Sequence, residues 1–403
     1  MTGSRHTSAR QERVTPKTTL IFASLVHHDS VRQRPHWLAE GLSERYRVLW
    51  LEPHVSLVHE RRTQAELTRM SDTFARLRPA SVLPVTGYVA PFNALSYRLT
   101  ARAVRGALGE LAWDVPRAIV TTFPKQLELV RALERGAASR TLPVVYDVMD
   151  DYPRFFGLGQ HQVLERMHRA LLARADAVTT SSESLALLVR QHTHANVSVI
   201  ANGVSRGFIE ACERAASSPE CADFGRPIFG YVGVISRWFD FEAVTRLAQA
   251  YPNGTVVLVG PADVPLPPLP PNVKCLGRRA HDELPALLAA FDVGLVPFRH
   301  LPGIDAVNPV KVYEYWAAGL PVLGTPFTEL ERMGAGVVTA HPDEWPKAAS
   351  ALVVAGDVGA VRSRARALAS TQTWELRVAS LAQVVQDVAA EFTPAHGRGP
   401  HAT

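Results

Sequence analysis

Cysteine is scarce in this 403-residue chain: Cys212, Cys221 and Cys275 are the whole supply, with no paired framework and no metal-ligand spacing. That excludes a disulfide-stapled secreted fold and leads us to expect a reducing compartment, the cytoplasm. No run approaches the roughly 18 apolar residues of a membrane span. Residues 1–17 are polar and carry Arg5, Arg10, Arg13 and Lys17 with no apolar core, so they read as a disordered tail and not as a signal peptide. The sequons Asn196-Val197-Ser198 and Asn253-Gly254-Thr255 are then expected to be accidental. A P-loop, a GxGxxG fingerprint and an aspartate-rich metal motif are also missing, and no dense basic run points to nucleic acid.

What is present is ordinary for a globular protein: 47% hydrophobic and 20% charged residues, in a length that suits two to three domains. Short apolar runs bounded by polar residues mark buried strands at residues 20–25, 47–51, 118–121, 143–146, 177–180 and 197–200. Helical periodicity separates most of them, at residues 34–44, 96–111, 125–135, 162–173 and 182–191. After a polar stretch at 209–226 that reads as a linker, the pattern restarts, with strands at 228–232, 255–259, 273–276, 293–296 and 321–323. The proline-rich segment 261–271 is expected to be irregular. The fold class implied is α/β: two Rossmann-like, doubly wound domains at 18–208 and 227–372 facing a cleft, followed by a helix at 373–392 and a tail at 393–403.

Charge is uneven. Residues 1–205 hold about eight more Lys and Arg than Asp and Glu, whereas the remainder holds about three fewer. Arg32, Arg34, Arg45, Arg47, Arg61 and Arg62 either meet an anionic surface or acceptor, or are scattered solvated arginines.

The stretch Asn308-Pro309-Val310-Lys311-Val312-Tyr313-Glu314 carries the clearest chemistry. Pro309 opens a helix, so Lys311 and Glu314 share one face in its first turns, where free N–H groups attract anions. An ammonium there suits a diphosphate and a carboxylate suits ribose hydroxyls; the alternative is a surface ion pair. Gly233 follows a strand and lets the backbone approach a phosphate, with Arg237 as a second cation or merely a solvent arginine. Asp147, Asp150 and Asp151 lie just beyond another strand, where they can reach a cleft and raise one another's pKa for general-base work, or cap the following helix. His28 is an alternative base. Arg34 sits at the first strand-to-helix crossing, and Asp305 is a candidate hydroxyl ligand in a small-residue loop.

The run "NPVKVYEYWAAGLPVLGTP" resembles the donor-site signature of GT-B glycosyltransferases related to family 4, in particular the teichuronic-acid branch. "YDVMDDY" and Gln33-Arg34-Pro35-His36 resemble other elements of that branch. The resemblance implies that the N-terminal domain binds acceptor and the C-terminal domain binds a nucleotide sugar, with the last helix crossing back to the N-terminal domain. It makes Lys311 the phosphate contact and Glu314 the ribose contact, supported by Asn308, Gly233 and Arg237, with Arg278 stacking on the base and Asp305 near the sugar. Asp147, nearest the strand end, is the first choice of base, then Asp150, with Arg34 toward donor phosphate or an anionic acceptor and Asp151 toward the acceptor. One departure stands out: the family's second glutamate, eight residues before Glu314, is Ala306 here.

The expected activity is metal-independent transfer of a sugar from a nucleoside diphosphate sugar, a UDP-sugar in the first instance, to a hydroxyl acceptor, with no cofactor. Peripheral contact at the inner membrane face is a further expectation from the basic N-terminal domain. A non-catalytic nucleotide-sugar sensor or scaffold, or a phosphorylase or epimerase on the same fold, would keep the same residues.

Overall fold

A computed structural model describes residues 18–83, 90–135, 142–155, 161–354 and 358–392. Both expected tails lie outside the described residues. The N-terminal half builds one sheet from β1 (Thr19–Ala23), β2 (Arg47–Leu51), β3 (Glu66–Arg69), β4 (Phe74–Arg78), β5 (Ala118–Thr121), β6 (Val144–Val148), β7 (Ala177–Thr180) and β8 (Asn196–Val199). Its spatial order is β3-β4-β2-β1-β5-β6-β7-β8, parallel throughout except for the antiparallel β3–β4 edge. Period-two alternation sends Ile21 and Ala23 of β1 into one hydrophobic layer and Leu20 and Phe22 into the layer on the opposite face. Helices on both faces explain why these strands are apolar on both sides.

The C-terminal half repeats the plan with β9 (Ile228–Val232), β10 (Thr255–Val259), β11 (Val273–Gly277), β12 (Val293–Val296), β13 (Val322–Gly324) and β14 (Val337–Thr339), ordered β11-β10-β9-β12-β13-β14 and all parallel. Each sheet therefore reverses its strand order at one point. In the first sheet β1 lies between β2 and β5, and in the second β9 lies between β10 and β12. Crevices beyond the carboxyl ends of such strands are where open α/β sheets take ligands.

The helix Trp374–Glu391 runs back over the first sheet and buries Val378, Leu381, Ala382, Val385 and Val388 in its hydrophobic layer. It crosses the helix Arg34–Leu42 at Gly41, where a Cβ would sit 2.4 Å from a Val378 methyl. The two chain crossings between the halves are hydrogen-bonded to each other: Val204 N–H donates to the Gln372 carbonyl and Trp374 N–H to the Val204 carbonyl, both at 3.0 Å.

Several elements differ from the sequence-based expectation. Residues 209–226 are not a free linker: the helix Arg206–Arg214 and a short 3-10 turn at Pro219–Cys221 bury Phe208, Ile209, Cys212 and Cys221 in the C-terminal core. The apolar spacing 208, 209, 212 is helical, but the Ser217-Ser218-Pro219 cluster after it dominates the local composition. β3 and β4 were not expected because their arginines break the apolar pattern. Arg76 and Arg78 lie within ion-pair reach of the buried Glu52 carboxylate, at 3.9 and 3.4 Å. The long helix of the N-terminal half begins at Ala90, six residues ahead of the expected start.

Candidate active site

The two halves meet across a cleft holding a 390 Å³ cavity, at the switch point of the second sheet. Its floor is the start of the helix Val310–Ala317. Pro309 occupies the cap position and its carbonyl accepts from Val312 N–H at 3.1 Å, whereas the N–H groups of Val310 and Lys311 have no intrahelical carbonyl before them to bond. Lys311 extends into this space. Its Nζ lies 4.6 Å from the Phe298 ring centroid and 5.1 Å from that of Tyr231, and it forms no hydrogen bond or ion pair with any described residue. Burial pushes its pKa down to about 8, with the Glu314 carboxylate working in the opposite direction.

Gly233, with φ +141°, passes directly over this lysine. A Cβ there would meet the Lys311 Cε at 3.2 Å and Nζ at 3.4 Å, so glycine keeps the approach open. One helical turn beyond Lys311, Glu314 bonds His281 Nε2 at 3.0 Å. Asn308 fastens the halves together: its Oδ1 accepts from Asn202 N–H at 3.0 Å and its carbonyl accepts from Asn202 Nδ2 at 2.7 Å.

Comparison with known proteins agrees with this geometry. Residues 226–355 match the family described as glycosyl transferases group 1. This segment resembles a group 1 glycosyltransferase domain. Over 229 residues the chain is 27% identical to Bacillus subtilis (strain 168) TuaH, which carries the name of a teichuronic acid biosynthesis glycosyltransferase. That match covers 53% of this chain and 58% of TuaH, so the chain spans little more than half of that relative. Among solved structures, the sucrose-phosphate synthase of Thermosynechococcus elongatus superposes with a TM-score of 0.69 at 16% identity, over 93% of this chain and 100% of that one. Anabaena HepE, in complex with UDP and glucose, gives 0.63 at 17%, over 92% and 100%. The fold is GT-B.

On the N-terminal side of the GT-B cleft, Arg34 lines the cavity. Its guanidinium is held from behind by Asp147 in a two-pronged pair, Nε to Oδ2 at 2.8 Å and Nη2 to Oδ1 at 2.7 Å. Nη1 donates to the Ile200 carbonyl at 2.6 Å. Asp147 is 0% exposed, takes a third bond from Thr179 Oγ1 at 2.6 Å, and does not line the cavity. It therefore orients Arg34 and cannot reach an acceptor proton, which corrects its expected place as base. Asp150, three residues on, does line the cavity. Burial raises its pKa to about 6, with Arg34 pulling down and Asp151 pushing up.

Other expected residues lie elsewhere. The His28 ring packs against Trp50 at 5.6 Å and Phe74 at 5.8 Å, behind the loop and off the cleft wall. Arg237 is exposed and off the wall, because its neighbour Trp238 is the residue of that turn that faces the cavity. Arg278 is exposed at the end of edge strand β11, and His281 lines the cavity in its stead. Asp305 accepts from Thr328 N–H and Oγ1 at 3.3 Å, while Ile304 and Val307 from the same turn face the cleft. Asp151 pairs with Arg154 at 3.3 Å and shares with Asp305 a separate groove between the halves.

Trp37, Trp374, His281 and Asn202 are cavity residues that sequence reading missed. Trp37 and Trp374 stack at 6.1 Å, 8° from parallel, and the Arg32 guanidinium covers the Trp37 ring at 4.1 Å. Only their aromatic character hinted at a role, since their partners are far away in sequence.

Proposed function

We propose that this protein transfers a sugar from a nucleoside diphosphate sugar, a UDP-sugar in the first instance, to a hydroxyl acceptor. The observation that carries this reading is Lys311: an ammonium held between two aromatic rings at a helix N-terminus, facing an open cavity. Without an anion it bears a desolvation cost, and a diphosphate would relieve it. The diphosphate sits on Lys311 and the first-turn N–H groups beside Gly233, and the ribose sits on Glu314, displacing or sharing its bond to His281. The acceptor approaches from the N-terminal side past Arg32 and Arg34, with Asp150 the carboxylate placed to take its proton. Lys311 and the helix N-terminus stabilise the leaving diphosphate, so transfer should survive EDTA.

A basic apolar surface supports contact with an anionic membrane. On the helix Ala90–Glu110, Phe92, Leu95 and Leu99 are 44%, 51% and 53% exposed, beside exposed Arg98 and Arg102. Among the described residues no helix is long and apolar enough to cross a membrane. Co-sedimentation with phosphatidylglycerol vesicles, lost in Leu95→Glu and at high salt, checks this surface.

The activity is tested by incubating the purified chain with a panel of UDP-sugars and following UDP release. Turnover of at least one supports a transferase, whereas tight UDP-sugar binding with no turnover under any acceptor makes the protein a sensor.

A further inference from the structure

The first sheet has a switch-point crevice of its own, and it too holds a cavity, of 230 Å³. Residues just after β1, β2 and β5 form its base, and the inner face of the helix Ala90–Glu110 forms its roof. It shares no lining residue with the interdomain cleft.

Two side chains in it hold hydrogen-bonding capacity that the protein does not use. Asn93 is 4% exposed, and its Nδ2 is buried with no partner. A buried amide donor is seldom left so, because the loss is comparable to a broken hydrogen bond. His54 supplies the complement. With Thr100 Oγ1 donating to the Ser96 carbonyl at 3.0 Å, its 2.7 Å contact with His54 is an acceptance from Nε2–H. In that tautomer His54 Nδ1 is an acceptor. Burial, helped by the charge of Lys125, lowers the His54 pKa to about 4, so the ring stays neutral.

A hydroxyl group fits this pair, since one oxygen can accept from Asn93 and donate to His54. Phe123 adds an aromatic face, and Lys125 brings an ammonium 5.9 Å from that ring. Hydroxyls, a ring face and a negative charge together describe a sugar bearing a carboxylate or phosphate. We propose that this cavity binds an anionic sugar residue and serves as an acceptor subsite. The word acceptor rests on the glycosyltransferase reading, whereas the binding does not.

Saturation-transfer NMR on the full chain tests it, with glucuronate, glucose 6-phosphate and glucose as probes, inorganic phosphate as a competitor, and UDP affinity measured in parallel. Ring protons of glucuronate or glucose 6-phosphate should receive saturation, and whichever binds distinguishes a carboxylate from a phosphate ligand. Asn93→Leu should weaken that binding at least tenfold, with UDP affinity within twofold of wild type. Lys125→Gln, at a half-buried position, carries the same expectation should Asn93→Leu fail to fold. Absence of saturation with every sugar, equal binding of glucose, or wild-type binding by folded variants would overturn the proposal. If the wild-type chain fails to bind UDP, the glycosyltransferase reading falls and the cavity measurement still stands.

Discussion

Replacing Lys311 with methionine should strengthen the fold and weaken UDP binding at once. The chain keeps its length and loses its charge. Burial lowers the ammonium pKa from 10.5 to about 8, and at about 1.4 kcal/mol per unit the native state bears roughly 3 kcal/mol against a fully solvated lysine. Water in the open cleft screens part of this, so the gain in Lys311→Met at pH 7 should be on the order of 1–2 kcal/mol. The sign follows from proton counts. Below pH 8 both folded and unfolded chains hold the proton and the penalty is complete. Between pH 8 and 10.5 only the unfolded chain holds it, so wild-type stability rises with pH and the variant lacks that rise. Binding moves the other way: a charge-assisted hydrogen bond of about 1.5–3 kcal/mol corresponds to roughly 10–150-fold in UDP affinity. Wild-type affinity should also fall as pH rises through 8, because a diphosphate needs the protonated lysine. Urea melts at pH 7 and 10, with calorimetry of UDP binding, read both effects. A destabilised variant, or one that binds UDP like the wild type, would refute the reasoning.

Glu314→Gln should reduce affinity for UDP and leave inorganic pyrophosphate binding nearly unchanged; equal losses for both ligands would remove the ribose from Glu314. Asp150→Asn should lower turnover roughly 10²–10⁴-fold with UDP affinity intact, and should abolish an acidic limb near pH 6 in the wild-type rate profile. Asp147→Asn should behave differently, because it strips the buried Arg34 of its charge partner: a stability loss of about 3–5 kcal/mol is expected by thermal melt, and near-wild-type stability would contradict the structural role.

Lys311 and Glu314 were legible in the sequence because everything that places them is local: a helix-opening proline and an i, i+3 spacing. Gly233 was legible for the same reason, as a glycine directly after an apolar strand. Asp147 was misjudged because a carboxylate at a strand end reads as facing a cleft. What decides its direction is Arg34, 113 residues earlier, together with Thr179 on the adjacent strand β7. Trp37, Trp374 and His281 converge only when the last helix packs over the first sheet, a tertiary event with no local signature. The β3–β4 edge stayed hidden because its arginines are paired with several carboxylates, Arg76 with Asp29 at 2.7 Å and Arg78 with Glu66 at 3.3 Å and with Glu52, a residue whose burial no periodicity announces.

The central claim is that a nucleoside diphosphate sits on the helix beginning at Val310, and a crystal structure of the chain soaked with UDP tests it most directly. The account predicts diphosphate oxygens within hydrogen-bond reach of Lys311 Nζ and the first-turn N–H groups, with the ribose on Glu314. UDP seated elsewhere, or an empty cleft at millimolar UDP, would contradict it.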